Sequence, residues 1–368
     1  MRVALVHDWL TGMRGGERVL EALIDLFPAC DIFTLVHVPG SVSERIESRP
    51  IHTSALDSVP LSARFYRHAL PLLPALIERF DLRGYDFVLS SSHCVAKGAI
   101  APRGTPHVSY CHTPMRYVWD QFDAYFGHGR ASAPVRLAMR ALAPRLRAWD
   151  RASARRVTTF VANSGHVRAR VASCWGRDAI VVHPPVALER FEPARERDDF
   201  YLALGALVPY KRVDLTIQAF NRSNRRLVVV GDGPDRDRLR SLAGPNVEFA
   251  GRVDDAEVAD WLGRCRALVH SGVEDFGIAL VEAHAAGAPV IAFGEGGAAE
   301  IVVDARVAGA GTGILFRRQT PEALLLAIHA FEARAFNATV LRARAAEFGA
   351  DRFRFAMNRI LQPLMTAA

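Results

Sequence analysis

The sequence predicts an α/β protein: two Rossmann-like, doubly wound domains in tandem, facing a cleft. Three observations carry this. At 368 residues the chain is longer than one core usually serves. It opens on a short apolar run, Val3 to Val6, then a Gly-bearing loop, then Val19, Leu20, Leu23, Ile24 and Phe27 at helical spacing. That is a β-loop-α opening of the kind found in nucleotide-binding α/β folds. Finally, a second alternation of apolar and helical runs begins near Tyr201.

In the first half, strands are expected at 87–90, 107–111, 157–162 and 180–183, with a long helical stretch at 131–156. The prolines of 183–186 and the charged run 192–199 read as a connection between domains. Beyond it, strands are expected at 201–204, 227–230, 247–250, 267–270, 290–293 and 313–316. Helices at 213–220, 256–265 and 277–286 separate some of them, and a terminal helix is expected at 353–364. The expected domains are therefore 1–185 and 186–350, with 351–368 as a terminal helix.

Half the residues are hydrophobic and 23% are charged, an ordinary globular balance. The net charge of +7 comes from arginine; Lys97 and Lys211 are the only lysines. Such an excess favours anionic partners, whether nucleotides, phospholipid headgroups or nucleic acid. Nucleic acid is disfavoured, because no recognised module or aromatic-basic motif is present. Five scattered cysteines without CxxC spacing argue for reduced thiols in the cytosol, against disulfides and zinc. The apolar run at the N-terminus is too short for a signal peptide, and no run approaches the ~20 apolar residues of a membrane span. A soluble or peripheral protein is expected.

Five segments carry candidate chemistry. In the first loop, 11–17, Gly15 and Gly16 let the backbone approach a ligand closely or take a positive φ. A plain tight turn into a helix reads equally well. The loop is not G-x-G-x-x-G, which disfavours a nicotinamide-dependent oxidoreductase. Glu17 reads as a charge at a helix start, suited to the helix dipole. Next, the strand ending at Cys111 is followed by His112, Thr113, Pro114 and Arg116. Ligands of open α/β sheets bind past the carboxyl ends of strands, so His112 is well placed to face one. In the third segment, 205–214, Lys211 can hold a diphosphate as a point charge. A solvated surface lysine is the alternative. The fourth pairs a strand ending in Gly231-Asp232-Gly233 with Arg252 and Val253 after the next strand.

The fifth is the most informative. Glu274 and Glu282, separated by seven residues, flank the junction Phe276-Gly277-Ile278 between a loop and a helix. A helix N-terminus there offers unpaired N–H groups and a positive dipole end, where a diphosphate can sit. A glycine-rich loop, 294–297, would pack close by.

Taken in order, these segments resemble the family 4 retaining glycosyltransferases of GT-B fold, with the E-x7-E signature at Glu274 and Glu282. The match runs from about residue 2 to about residue 303. The run V-H-D-W-L-T-G-M-R-G-G-E at 6–17 and C-H-T-P-M-R-Y at 111–117 resemble bacterial polysaccharide and O-antigen mannosyltransferases. The resemblance implies that His112 meets the donor sugar near the reacting carbon, and that Glu274 accepts from its hydroxyls. It implies that Glu282 accepts from both ribose hydroxyls, and that Lys211 neutralises the leaving diphosphate. Gly15, Gly16, Gly231, Gly233, Arg252, Val253, Phe276, Gly277 and Ile278 would line the donor. The family commonly carries an arginine one residue after the glycine of the third segment. This chain has Ala206 there, so Arg212 or another basic residue must supply the charge, or the enzyme is slowed or altered. The terminal helix of GT-B proteins often returns to the first domain.

The expectation that follows is a retaining, metal-independent hexosyltransferase without cofactor. Its donor would be a nucleoside-diphosphate sugar, by resemblance GDP-mannose. Its acceptor would be a lipid-diphosphate-linked or other saccharide, at the inner face of the cytoplasmic membrane. Domain closure would assemble the site. A non-catalytic sugar-nucleotide-binding or scaffold subunit is the alternative, and Ala206 is its support. Membrane contact has a candidate surface. Arg130, Arg136, Arg140, Arg145, Arg147, Arg151, Arg155 and Arg156 interleave with Leu137, Met139, Leu142, Leu146 and Trp149, and the run 65–74 has a similar character. Two helices with ordinary solvated arginine faces is the equal alternative.

Overall fold

The structure is a computed structural model and describes residues 1–127, 131–192 and 196–366. The chain divides into two compact units: Met1–Pro185 with Asp351–Ala368, and Val186–Ala350.

The N-terminal unit is built on seven parallel strands: β1 (Val3–His7), β2 (Asp31–Thr34), β3 (Ile51–Thr53), β4 (Phe87–Ser92), β5 (His107–Cys111), β6 (Thr159–Ala162) and β7 (Ile180–Val181). Their order is β3-β2-β1-β4-β5-β6-β7. Every residue of β1, β4 and β5 is buried, as expected for parallel strands covered on both faces. The order reverses between β1 and β4, which makes their carboxyl ends the crevice of this sheet. β2 and β3 have no counterpart in the sequence reading. β3 is three residues long and leaves His52 and Thr53 exposed, so no apolar run announces it; β2 buries Ile32, Phe33 and Thr34, a run that sequence reasoning passed over. β7 is two residues long rather than four, because Pro184 and Pro185 follow closely and cannot extend a ladder. The terminal helix Ala350–Thr366 presents Phe353, Met357 and Leu361 on one stripe, and these join the cluster of Val19, Leu20, Leu23 and Tyr110.

The long helix Ala133–Ala154 buries Met139, Ala143, Leu146 and Asp150 and leaves Leu137 exposed. Three of its arginine-run members serve the unit's own structure. Arg147 donates to the Val118 carbonyl, Arg151 to Cys174 O at 2.9 Å and Arg156 to Gly98 O at 2.8 Å. Arg140, Arg145 and Arg155 are exposed, and Arg130 lies outside the described residues. All five cysteines are buried, and no disulfide joins any of them.

The C-terminal unit is built on six parallel strands: β8 (Tyr201–Leu204), β9 (Leu227–Val230), β10 (Val247–Gly251), β11 (Ala267–His270), β12 (Val290–Phe293) and β13 (Gly313–Phe316). Their order is β10-β9-β8-β11-β12-β13, so the reversal lies between β8 and β11. The helix expected at 256–265 spans Asp255–Arg264, one residue earlier, because Asp254 and Glu257 form a capping box. The helix expected from Gly277 spans Ile278–Ala285, with Gly277 as its N-cap at φ 102°.

Candidate functional site

In the N-terminal unit, polar side chains gather where β1, β4 and β5 end. Asp8 follows β1 and is fully buried. Its carboxylate accepts from four consecutive backbone N–H groups, those of His93 (2.7 Å), Cys94 (3.0 Å), Val95 (2.6 Å) and Ala96 (2.8 Å). One aspartate thus fastens the loop that leaves β4. Sequence reasoning passed over it, although an acid directly after a buried strand is a usable signal.

Gly15 and Gly16 do not form the loop expected of them. They open the helix Gly15–Leu26, and neither has a positive φ. What Gly16 provides is close approach: a Cβ there would stand 3.5 Å from His7 Cε1 and 3.8 Å from His112 Nε2. Glu17 stands in the first turn of that helix, as expected, but it is buried there. It is 4% exposed, with Oε1 3.6 Å from Nε2 of the fully buried His7. Burial pushes the Glu17 carboxyl up, but the contact and charge of His7 outweigh it and hold the group below the usual value.

His112 follows β5 and is half-buried. Its Nε2 lies 2.8 Å from Ser91 Oγ, its N–H donates to Ser92 O at 2.8 Å, and its carbonyl accepts from Asn163 Nδ2 at 3.0 Å. Burial, then the neighbouring His93 and His7, pushes its pKa down to about 3. His112 is therefore neutral near pH 7, and Ser91 fixes its ring. A neutral imidazole can exchange hydrogen bonds with a hydroxyl but supplies no positive charge. Ser91 was not singled out from the sequence.

In the C-terminal unit, four loops meet past the ends of β8, β9, β11 and β12. Lys211 Nζ pairs with Glu274 Oε1 at 2.9 Å, and His270 Nε2 approaches the same oxygen at 3.7 Å. Lys211 reaches this position over Gly205, where a Cβ would stand 2.7 Å from Nζ. The loop of Glu274 is tied to the glycine-rich loop, Gly297 N donating to Glu274 O at 2.8 Å. The loop after β8 is tied to the Gly231–Gly233 turn, Leu207 N donating to Asp232 O at 2.9 Å.

The remaining candidates divide by what their side chains do. Phe276 is 3% exposed and its ring packs on Phe348 at 5.6 Å, so only its backbone is available to a ligand. Gly277 and the half-buried Ile278 stand at the helix N-terminus, eight residues long. Glu282, on that helix, pairs with Arg190 at 3.4 Å, and Arg190 also donates to Asp255 O at 3.1 Å. Arg190 was missed, since nothing in its local sequence connects it to residue 282. Arg212 takes a left-handed conformation (φ 51°, ψ 39°) and directs Nε to Asp214 at 3.2 Å. Its guanidinium is thereby engaged within its own turn, and Ala206 is exposed. Arg252, exposed, and Val253, half-buried, follow β10 at the sheet edge.

Two family matches cover most of the chain: "Glycosyltransferase Family 4" over residues 13–190 and "Glycosyl transferases group 1" over residues 187–349. The fold is shared with solved structures. HepE of Anabaena in complex with UDP superimposes with a TM-score of 0.69 at 16% identity, covering 99% of this chain and 100% of that one. Sucrose-phosphate synthase from Thermosynechococcus elongatus gives 0.72 at 18% identity, covering 100% of both. Two parallel-sheet Rossmann-like domains bearing these matches define a GT-B protein. The chain belongs to the glycosyltransferases of the family 4 type. Among curated relatives, a GDP-mannose-dependent alpha-(1-6)-phosphatidylinositol monomannoside mannosyltransferase of Mycolicibacterium smegmatis is 34% identical over 41% of this chain and 47% of its own length. A D-inositol 3-phosphate glycosyltransferase of Kineococcus radiotolerans is 31% identical over 51% of this chain and 52% of its own. The chain thus aligns with about half the length of these relatives.

Proposed function

We propose that this protein is a retaining glycosyltransferase that moves a hexosyl group, by our reading mannosyl, from a nucleoside-diphosphate sugar to a lipid-linked or saccharide acceptor. The observation that carries the reading is the Lys211–Glu274 pair at the β8/β11 crevice, beside the N-terminus of Ile278–Ala285. A cation, a carboxylate and unpaired backbone N–H groups suit a phosphate next to a sugar. Lys211 and the amides at Gly277-Ile278 neutralise the leaving diphosphate, Glu274 accepts from sugar hydroxyls, and Glu282 accepts from the ribose. In the N-terminal unit, neutral His112 meets the sugar near its reacting carbon. The acceptor oxygen bonds to the anomeric carbon as the bond to the phosphate oxygen breaks on the same face, and the acceptor's proton passes to that phosphate oxygen. No protein nucleophile is needed, and the charge is assigned to protein groups rather than to a metal ion or cofactor.

The mannosyl assignment draws on the M. smegmatis relative and on the 6–17 and 111–117 runs. The UDP in the Anabaena structure makes UDP-sugars the competing donors to test. Surface polysaccharide or O-antigen assembly in a bacterium is the setting this reading implies, with the protein in the cytoplasm at the inner face of the membrane. Among the described residues, no helix is long and apolar enough to cross a membrane. Contact with anionic lipid would use the exposed Arg140, Arg145 and Leu137 of Ala133–Ala154. A non-catalytic sugar-nucleotide-binding subunit is the second reading, favoured by Ala206 at the usual arginine position.

A thermal-shift panel of UDP-, GDP-, ADP- and dTDP-sugars tests the donor assignment, since a ligand of the native state raises its melting temperature. Selective stabilisation by one base is expected, with Glu282→Ala abolishing it and Lys211→Ala retaining it while slowing transfer. No stabilisation by any of them removes the reading. Nucleotide binding without turnover on supplied acceptor favours the second one.

A further inference from the structure

The buried histidine at the end of β11 has no use in the function proposed so far. His270 is 7% exposed, and its Nε2 makes no hydrogen bond. A buried polar atom left so costs about 1–3 kcal/mol, which a phenylalanine ring of similar shape would avoid. The orphaned nitrogen points at something: Glu274 Oε1, 3.7 Å away, the same oxygen that Lys211 Nζ holds at 2.9 Å. Two donors thus face one carboxylate oxygen, and only the lysine is within bonding distance. In the proposed reaction Lys211 is needed at the leaving diphosphate. A lysine that turns to the phosphates gives up its contact with Glu274 Oε1, at the moment the carboxylate must hold still against the sugar.

We propose that His270 is a positioning residue that takes Glu274 Oε1 as Lys211 leaves it, keeping the carboxylate ionised and aimed at the donor sugar while the lysine serves the diphosphate. The inference rests on the donor-site reading above. The movement required is small, a closing of about 0.7 Å to reach ordinary hydrogen-bond length. His270 is suited to it by charge as well as place. Burial first, and then the charge of Lys211, press its pKa down against the pull of Glu274, to about 4. It is neutral while Lys211 stands beside it, so it offers an N–H without setting a second cation against the first.

The test compares His270→Phe and His270→Gln with the parent, using GDP and GDP-mannose, and UDP and UDP-glucose in parallel, as probes. His270→Phe should melt no lower than the parent without ligand. It should bind the nucleoside diphosphate within about twofold of the parent and the matching sugar nucleotide about tenfold more weakly, the loss of one hydrogen bond to a charged group. His270→Gln, whose amide nitrogen reaches nearly as far as Nε2, should recover most of that loss. Equal weakening of both ligands, or a sugar-nucleotide affinity unchanged in His270→Phe, overturns the inference, as does a glutamine variant no better than the phenylalanine. Should His270→Phe fail to fold, His270→Asn takes its place: its amide stops short of Glu274, so the same selective loss is required. A parent that binds none of the four probes overturns the donor-site reading itself. A parent that binds them with His270→Phe unaffected overturns only the role of His270.

Discussion

Two lysines in an arginine-rich chain invite a comparison, and the structure puts them to opposite uses. Lys97 is fully buried: Nζ lies 2.8 Å from Asp150 Oδ1 and 2.6 Å from Ser153 Oγ, and it faces the rings of Trp149 and Trp175 at 4.9 and 4.7 Å. Asp150 also accepts from the indoles of Trp119 and Trp175 at 2.7 and 2.6 Å. Every group has its partner within the N-terminal unit. The Lys211–Glu274 pair instead stands partly open at a sheet crevice. Lys97→Ala would leave the Asp150 charge buried without its cation, and should cost the N-terminal unit about 3–5 kcal/mol. Urea unfolding followed by tryptophan fluorescence checks this; a loss under 1 kcal/mol would mean Asp150 finds water or another donor. The placement of Lys211 past the end of β8 was legible in the sequence because a strand end and a proline frame it. That of Lys97 was not, because Asp150 and Ser153 lie more than fifty residues away. Ser91, Arg190 and His270 were hidden for the same reason: their significance comes from what folding brings to them.

At the scale of elements, legibility followed burial. β8, β9, β11, β12 and β13 begin and end where the apolar runs do, because strands covered on both faces must be apolar throughout. β3, at the sheet edge with two of three residues exposed, lacks that constraint; β2 has it, with Ile32 and Phe33 buried on opposite faces, and was missed only because Thr34 interrupts a short run. The glycine-rich loop 294–297 was expected close to the Phe276-Gly277-Ile278 junction, and its partner lies there. That partner is the backbone of Phe276, against which a Cβ at Gly297 would collide outright. Backbone cannot yield as a flexible side chain does, so Gly297→Ala must push the Glu274–Gly277 segment away from the loop. The hydrogen bond from Gly297 N to Glu274 O, at 2.8 Å, would be strained or lost. We expect a fall in sugar-nucleotide affinity of about tenfold or more, with about 1–3 kcal/mol lost from the C-terminal unit, the usual cost of overpacking. Calorimetric titration on the folded variant reads the first, and urea unfolding the second. An alanine variant with parental affinity would show that the two loops need not touch.

Across the whole molecule, both units bury histidines in neutral form, and this sets how the protein meets acid. His107 in the N-terminal unit is 1% exposed with Nε2 2.9 Å from Ser90 Oγ, and His284 in the C-terminal unit is fully buried with Nε2 3.2 Å from Thr312 O. Burial pushes the pKa of each down to about 3, with nearby arginine or lysine charge adding to the effect. An unfolded histidine titrates near 6.5. Between these values the unfolded chain binds a proton that the folded chain refuses, so stability falls as pH falls from about 6.5 toward 3. At pH 5 each such histidine costs about 2 kcal/mol relative to pH 7.5. His270, pressed to about 4, adds to the loss in the C-terminal unit. Urea midpoints should therefore drop between pH 7.5 and pH 5, a range above most carboxylate titration, and His284→Gln should flatten the slope of the C-terminal transition by one proton. The glutamine retains a donor for Thr312 O and cannot take up charge, so the slope reports the ionisation rather than the hydrogen bond. Midpoints that coincide at the two pH values would mean that the histidines reach water in the folded state.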